Sequence, residues 1–287
     1  MNIIDFKTLS KVCNDYDLFL FDLWGVIVEG AEIYPNSVAL INSLIKKQRK
    51  VYFVSNAPRP GFNTAKKLKN WGIVDVKEQD VFTSGNITRK YLQESKERFN
   101  IDKPIIYHMG ADRNDDILQN TNYELTTDLD KANIVLMSLY RDGHENRTEF
   151  DELLAGIAKR KIITICANPD TTIPLQGSMR YCAGYFANKV EKQGGIVIYT
   201  GKPHLQIYEE VLATVPNIAK DRILMIGDTF ETDILGASNS GIHSALVMTG
   251  NASLRYNKND SLDDQIKALS QQAYRINIIP NFITSLE

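Results

Sequence analysis

The sequence predicts a doubly wound α/β fold, a parallel sheet flanked by helices, with a smaller α/β module inserted in it. Three observations carry this. Short apolar runs at 18–21, 51–54 and 223–226 give way to Asp22, Ser55 and Gly227-Asp228, as strands buried on both faces of a parallel sheet do at their ends. Stretches of helical apolar spacing separate the runs, which is the βαβ order. The pattern then restarts near Ile101 and returns to its first form near Gly201.

Composition bounds the answer. A chain of 287 residues suits one large domain or a core with a second module, and 43% hydrophobic residues suffice for a sizeable core. A formal net charge of −2 gives no electrostatic case for nucleic acid or an anionic membrane. Cys13, Cys166 and Cys182 are scattered without metal-ligand spacing and read as buried small apolar residues in a reducing compartment. The N-terminus lacks the basic and apolar regions of a signal peptide, and no run approaches a membrane span. A cytoplasmic location is the expectation.

The elements follow in order. Residues 3–15 predict a short amphipathic helix before the first strand. That strand, Leu18 to Val28, is interrupted by Asp22 and then Gly25. Asn36 predicts the cap of a helix over 37–50, where Val38, Leu40, Ile41, Leu44 and Ile45 have helical spacing. Val51–Val54 reads as a second strand, ending in Ser55-Asn56-Ala57-Pro58. Helices at 63–71 and 87–99 flank a short strand at 80–84. The inserted pattern predicts strands at 104–110, 133–138 and 162–166, with helices at 150–159 and 183–192. In the last third a helix follows Gly201-Lys202-Pro203, and a strand at 222–226 ends in Gly227-Asp228. A further helix and a strand at 244–248 come next, and the tail at 276–283 suggests a short edge strand. The expected division is a core in two parts, 1–98 and 197–287, with the inserted module at 99–196.

An Asp inside an apolar run is costly unless it sits at the strand's carboxyl end, where open α/β sheets place their ligands. There Asp22 can bind a cation, attack an electrophile, or simply cap the following turn. Ser55-Asn56, Lys202, and Asp228 with Asp233 lie at comparable positions, on one edge of the sheet. Carboxylates with a lysine and a hydroxyl suit a Mg²⁺-assisted reaction of a phosphate ester. Lysine neutralises anionic charge, while Ser55, Asn56 and the backbone at Ala57 can hold phosphate oxygens.

At these residues the chain resembles the haloacid dehalogenase superfamily of aspartate-nucleophile phosphatases. Phe21-Asp22-Leu23-Trp24-Gly25-Val26, Val54-Ser55-Asn56, Gly201-Lys202-Pro203 and Gly227-Asp228-Thr229-Phe230-Glu231-Thr232-Asp233 match its four motifs in order. The insertion is similar to the large α/β cap of the nitrophenylphosphatase-like and sugar-phosphatase-like subfamily. The resemblance implies a Rossmann-like core and a small phosphorylated metabolite as substrate. It makes Asp22 nucleophile and metal ligand, and Lys202 the charge-neutralising lysine. The Trp24 carbonyl, Asp228 and Asp233 become further ligands of Mg²⁺. Ser55, Asn56 and Ala57 become phosphate contacts, and Asn168 and Asp170 a substrate loop in the cap. It also implies a homodimer through the cap. Trp24 departs from the pattern, because the position usually holds an Asp that acts as general acid and base. Loss of such a group costs on the order of 100- to 10,000-fold. This leaves an alternative, a weak or inactive protein that binds a phosphorylated metabolite. Glu29, in the following loop, is the nearest substitute in sequence.

Overall fold

The structure is a computed structural model describing residues 2–111, 116–119, 121–138, 148, 150–175 and 178–286. The chain opens with α1 (Leu9–Val12), β1 (Leu18–Phe21), a small hairpin of β2 (Val28–Glu29) and β3 (Glu32–Ile33), then α2 (Pro35–Lys46) and β4 (Lys50–Ser55). It continues through α3 (Gly61–Asn70), β5 (Val81–Thr83), α4 (Ser84–Gln93) and α5 (Ser95–Phe99). The middle holds β6 (Ile105–Met109), β7 (Glu124–Leu125), β8 (Ile134–Met137), α6 (Asp151–Arg160) and β9 (Ile163–Cys166). A hairpin of β10 (Thr172–Leu175) and β11 (Ser178–Tyr181) leads to α7 (Ala183–Lys192) and β12 (Ile196–Tyr199). The last part comprises α8 (Leu205–Ala213), β13 (Ile223–Gly227), α9 (Leu235–Ser240), β14 (His243–Val247), α10 (Leu262–Ile276) and β15 (Phe282–Thr284).

These elements form two compact units. The first is Met1–Ser55, Phe62–Phe82 and Lys202–Glu287; the second is Asn56–Gly61 and Thr83–Gly201. The first unit is built on a six-stranded sheet in the order β15-β14-β13-β1-β4-β5, with β1 paired in parallel to both β13 and β4. One face packs Phe19, Phe21, Phe53, Leu224 and Ile226 against Ile41, Leu44 and Leu68 of α2 and α3. The other packs Leu246 and Ile283 against Ile266, Leu269 and Ala273 of α10. Helices on both faces make it doubly wound. Each such buried side chain contributes about 1.5–3 kcal/mol.

The second unit has a five-stranded parallel sheet, β12-β9-β8-β6-β7. Val135 and Met137 pack there against Leu154 of α6 and Phe186 and Val190 of α7. Asn56–Gly61 joins this unit through the start of α4. Gly85 N–H donates to the Ala57 carbonyl, Gly61 N–H to Asn86 Oδ1, and the Thr83 hydroxyl to the Arg59 carbonyl.

Several expectations need correction. The helix over 3–15 shrinks to one turn, because the chain before it pairs with the sheet edge: Ile283 N–H donates to the Asp5 carbonyl and Lys7 N–H to that of Ile283. Asn36 does not cap α2. Tyr34 takes that position and Pro35, which lacks an N–H, fills the first helical one. The helix expected at 87–99 starts at Ser84, capped by the Thr83 hydroxyl, and breaks at Glu94 into α4 and α5. The strand β12 and helix α10 had no counterpart in the sequence reading. The tail strand falls at 282–284, parallel to β14 at the sheet edge.

Candidate active site

Asp22 is the first residue past β1, held there by its own N–H, which donates to the Ile226 carbonyl at 2.9 Å. The chain then turns tightly, with the N–H groups of Ile27 and Val28 both donating to the Leu23 carbonyl. Gly25 makes that turn at φ +80°, a conformation that side chains resist. Asp228 occupies the matching place past β13. Asp233 comes from the single π-helical turn Phe230–Ile234, a local widening common at functional sites.

The side chains converge. Lys202 Nζ lies 2.6 Å from Asp22 Oδ1 and 2.6 Å from Asp233 Oδ1, with all three residues buried. Asp233 Oδ2 accepts the Thr229 N–H at 3.1 Å. Asp228 Oδ2 accepts the Asn251 N–H at 2.6 Å, and its Oδ1 the Thr229 hydroxyl at 3.1 Å. Two glycines make room for it: a Cβ on Gly25 would lie 2.3 Å from Asp228 Oδ2, and one on Gly250 2.1 Å. Asp22, Asp228 and Asp233 each offer an oxygen within 4.8 Å of the others'.

Three buried carboxylates cluster with one ammonium, which bonds two of them. Burial pushes the Asp22 carboxyl up to about 7, aided by Asp233 and opposed by Lys202. Burial raises Asp228 well above the ordinary carboxylate range too, with Asp233 and Asp22 adding to it. For Lys202 burial disfavours the charge, yet Asp22 and Asp233 outweigh it and hold the ammonium firmly protonated. Ionised, the three carboxylates would carry more charge than one ammonium offsets, and such a set of hard oxygen donors fits Mg²⁺.

The other expected residues are placed as follows. Ser55 and Asn56 are buried at the end of β4. Asn56 Nδ2 donates to Asp170 Oδ1 at 2.8 Å, a pairing that 114 residues of separation hid from the sequence. Asn168 Oδ1 accepts the Asp170 N–H, an Asx-turn, and Gly184 N–H donates to the carbonyls of both. Trp24 is 39% exposed, whereas Leu23, Val26 and Ile27 beside it are buried. Glu29 accepts a hydrogen bond from the Tyr34 hydroxyl. His108 pairs with Ser138 at 2.7 Å in the second unit. Arg141 and His144 lie outside the described residues. All three cysteines are free and buried. Gly250, expected only as the glycine past the strand at 244–248, and Asn251 were not among the expected site residues.

Two family models match. One, described as haloacid dehalogenase-like hydrolase, covers residues 19–124; a second, HAD-hydrolase-like, covers 199–270. Between them they take in more than half of the chain, and it belongs to the haloacid dehalogenase-like hydrolases. The acid sugar phosphatase of Staphylococcus haemolyticus is 26% identical over 239 residues, 82% of this chain and 86% of its own length. Among solved structures, a haloacid dehalogenase-like hydrolase from Brucella suis superposes with a TM-score of 0.77 at 29% identity, covering 91% of this chain and 95% of its own. A possible sugar phosphatase from Cytophaga hutchinsonii gives 0.79 at 24% identity, covering 98% and 97%, and so bears on the fold alone. Among the described residues no helix is long and apolar enough to cross a membrane.

Proposed function

We propose that the protein is a Mg²⁺-dependent phosphatase of small phosphomonoesters that works through an aspartyl-phosphate on Asp22. The observation that carries this is Lys202, shared at 2.6 Å between Asp22 and Asp233 beside Asp228. One Asp22 oxygen attacks phosphorus, the ester P–O bond breaks, and water later hydrolyses the acyl-phosphate to regenerate the carboxylate. Lys202 keeps Asp22 oriented and offsets the charge of the incoming ester. Mg²⁺, held by Asp22, Asp228 and the Trp24 carbonyl with Asp233 alongside, would supply the remaining positive charge and favour the ionised carboxylates. Ser55, Asn56 and Ala57 are our phosphate contacts, and Asn168 and Asp170 our substrate loop.

The names of the relatives bring sugar phosphates in as candidate substrates and favour turnover over the alternative of binding alone. A cytoplasmic location and a homodimer through the inserted module remain part of the reading, the latter checked by sedimentation. The central test is phosphate release from p-nitrophenyl phosphate and a sugar-phosphate panel with Mg²⁺. Asp22→Asn should lower turnover by a factor on the order of 10,000 or more. Unchanged turnover in that variant sinks the proposal.

A further inference from the structure

The tryptophan two residues past the nucleophile narrows the substrate class. We propose that Trp24 fits this site to esters whose leaving group is planar, aromatic and weakly basic, an aryl or heteroaryl phosphate rather than an alkyl one. The inference rests on the reading of Asp22 as nucleophile.

Its first support is the fate of each carboxylate in the cluster. Asp22 attacks. Asp233 is ion-paired to Lys202 through one oxygen and accepts the Thr229 N–H through the other. Asp228 holds the Asn251 N–H and the Thr229 hydroxyl. Glu29 is engaged with the Tyr34 hydroxyl. Each of the four is thus committed, as nucleophile or as partner of a neighbouring group. Trp24, two residues past Asp22, has an indole N–H that donates a hydrogen bond but does not transfer a proton at neutral pH.

The second support is exposure. Trp24 leaves 39% of its surface open where the rest of the turn is buried, although burying an indole is favourable. A tryptophan with that much open surface, two residues along the chain from a nucleophile, offers an aromatic group on which a ring can stack. Both features select the same ester. An alkoxide, whose conjugate acid resembles water at about 15.7, needs protonation to leave. A phenolate, near 10, departs without it.

In balance, an Asp22 oxygen forms a bond to phosphorus and the ester P–O bond breaks. Its electron pair leaves on the aryl oxygen as a phenolate, which takes a proton from bulk water. One water then attacks the aspartyl-phosphate, its hydroxyl going to phosphorus and its proton to the released phosphate, and Asp22 is again a carboxylate. Trp24 cannot deprotonate that water, so the second step is the slow one.

The test uses the whole protein with Mg²⁺, a series of substituted phenyl phosphates of falling leaving-group pKa, glucose 6-phosphate and acetyl phosphate. Phenyl phosphate should exceed glucose 6-phosphate in kcat/KM by about 100-fold or more, with a steep leaving-group dependence. A burst of one phenolate per active site should accompany an acid-stable phosphoprotein. Trp24→Asp should raise the glucose 6-phosphate rate by about 100-fold and flatten the series. Trp24→Ala should raise KM for aryl esters several-fold more than KM for acetyl phosphate, which has a good leaving group but no ring. Aryl and alkyl esters within tenfold of each other, or an unmoved aryl KM in Trp24→Ala, overturn the inference. So does a loss of alkyl turnover confined to Glu29→Gln, which would make Glu29 the acid. Asp22→Asn retaining hydrolysis, or wild type forming no phosphoprotein with any ester, overturns the reading of Asp22 itself.

Discussion

Strand β1 is bracketed by two aspartates, and they behave in opposite ways. Asp17 precedes the strand and is half exposed; both its oxygens take hydrogen bonds from Arg222 at 3.0 Å, with Arg49 at 3.3 Å. Asp22 follows the strand and is buried against Lys202. The Arg222 hydrogen bonds hold the Asp17 carboxyl below the ordinary range, whereas burial lifts Asp22 to about 7. The neighbouring strands repeat the contrast, since Arg222 precedes and Asp228 follows β13. Each edge pairs acid with base. At the open edge water screens the charges and two arginines meet Asp17; at the closed edge three buried carboxylates cluster with one lysine. Carboxylates that burial keeps reluctant to ionise without a cation are what equip the second edge for a metal.

The sharpest break of this comparison comes from removing the cation at each edge. Lys202→Met leaves Asp22 and Asp233 buried without their shared partner, and urea unfolding at pH 8 without metal should show a loss of about 3–5 kcal/mol. Arg222→Met should cost no more than about 1 kcal/mol. Equal costs would erase the distinction between the edges.

The two edges should also answer pH with opposite signs. The folded value of Asp22 is raised from about 3.9 to about 7, so its contribution to stability is full below about pH 4 and is lost as pH rises through 7. Asp228 acts in the same direction. Metal-free protein should therefore melt at a lower temperature at pH 8 than at pH 5. Millimolar Mg²⁺ should remove most of that decline, because it binds the ionised carboxylates of the folded state only. A metal-free melting profile that is flat across this window would contradict the electrostatics assigned to the buried edge.

A smaller effect separates geometry from charge. Gly25→Ala forces a side chain into φ +80° and sets its Cβ 2.3 Å from Asp228 Oδ2, whereas Gly30, at φ +63°, has open space around it. Gly30→Ala should cost about 1–2 kcal/mol, the backbone penalty alone. Gly25→Ala should exceed that and weaken Mg²⁺ binding by about 10–100-fold, measured by titration calorimetry. Identical behaviour of the two variants would show that Asp228 does not depend on the glycine wall.

The closed edge was far more legible in the sequence than the open one. Asp22, Ser55 and Asp228 each stand directly behind an apolar strand, so a local pattern of a few residues announces them. Lys202 was readable only in their company, with Gly201 before it and Pro203 after it. The Asp17 network brings together Arg49 and Arg222, 32 and 205 residues away, at strand beginnings where charged residues are ordinary. Nothing local distinguishes it. Helix α10 was missed for a different reason. Its Ser261 cap, which accepts the Asp264 N–H, and the spacing of Leu262, Ile266, Leu269 and Ala273 were present in the sequence, but they lay beyond the last motif. The N-terminal helix was overread because its apolar residues serve a sheet edge instead. Asn56 with Asp170 shows the limit of local reading: each residue sat in a recognisable turn, and only folding joined them.

The smallest prediction tests the open edge itself. Asp17→Asn keeps the shape and some hydrogen-bonding capacity of the side chain while removing its charge. The charge is exposed and screened, so the cost should stay below about 1 kcal/mol at neutral pH. Its sign with pH is the reverse of that of Asp22. The folded Asp17 value is depressed, so its contribution is present above the ordinary carboxyl value near 3.9 and disappears as pH falls through the lower folded value. Wild type and Asp17→Asn should therefore differ slightly at pH 7 and converge near pH 2. The gap should also narrow in 1 M NaCl, where the screening length falls to about 3 Å. A gap of several kcal/mol that survives both acid and salt would mean that Asp17 supports β1 by packing rather than by charge, and the contrast between its two ends would then lie in shape rather than in electrostatics.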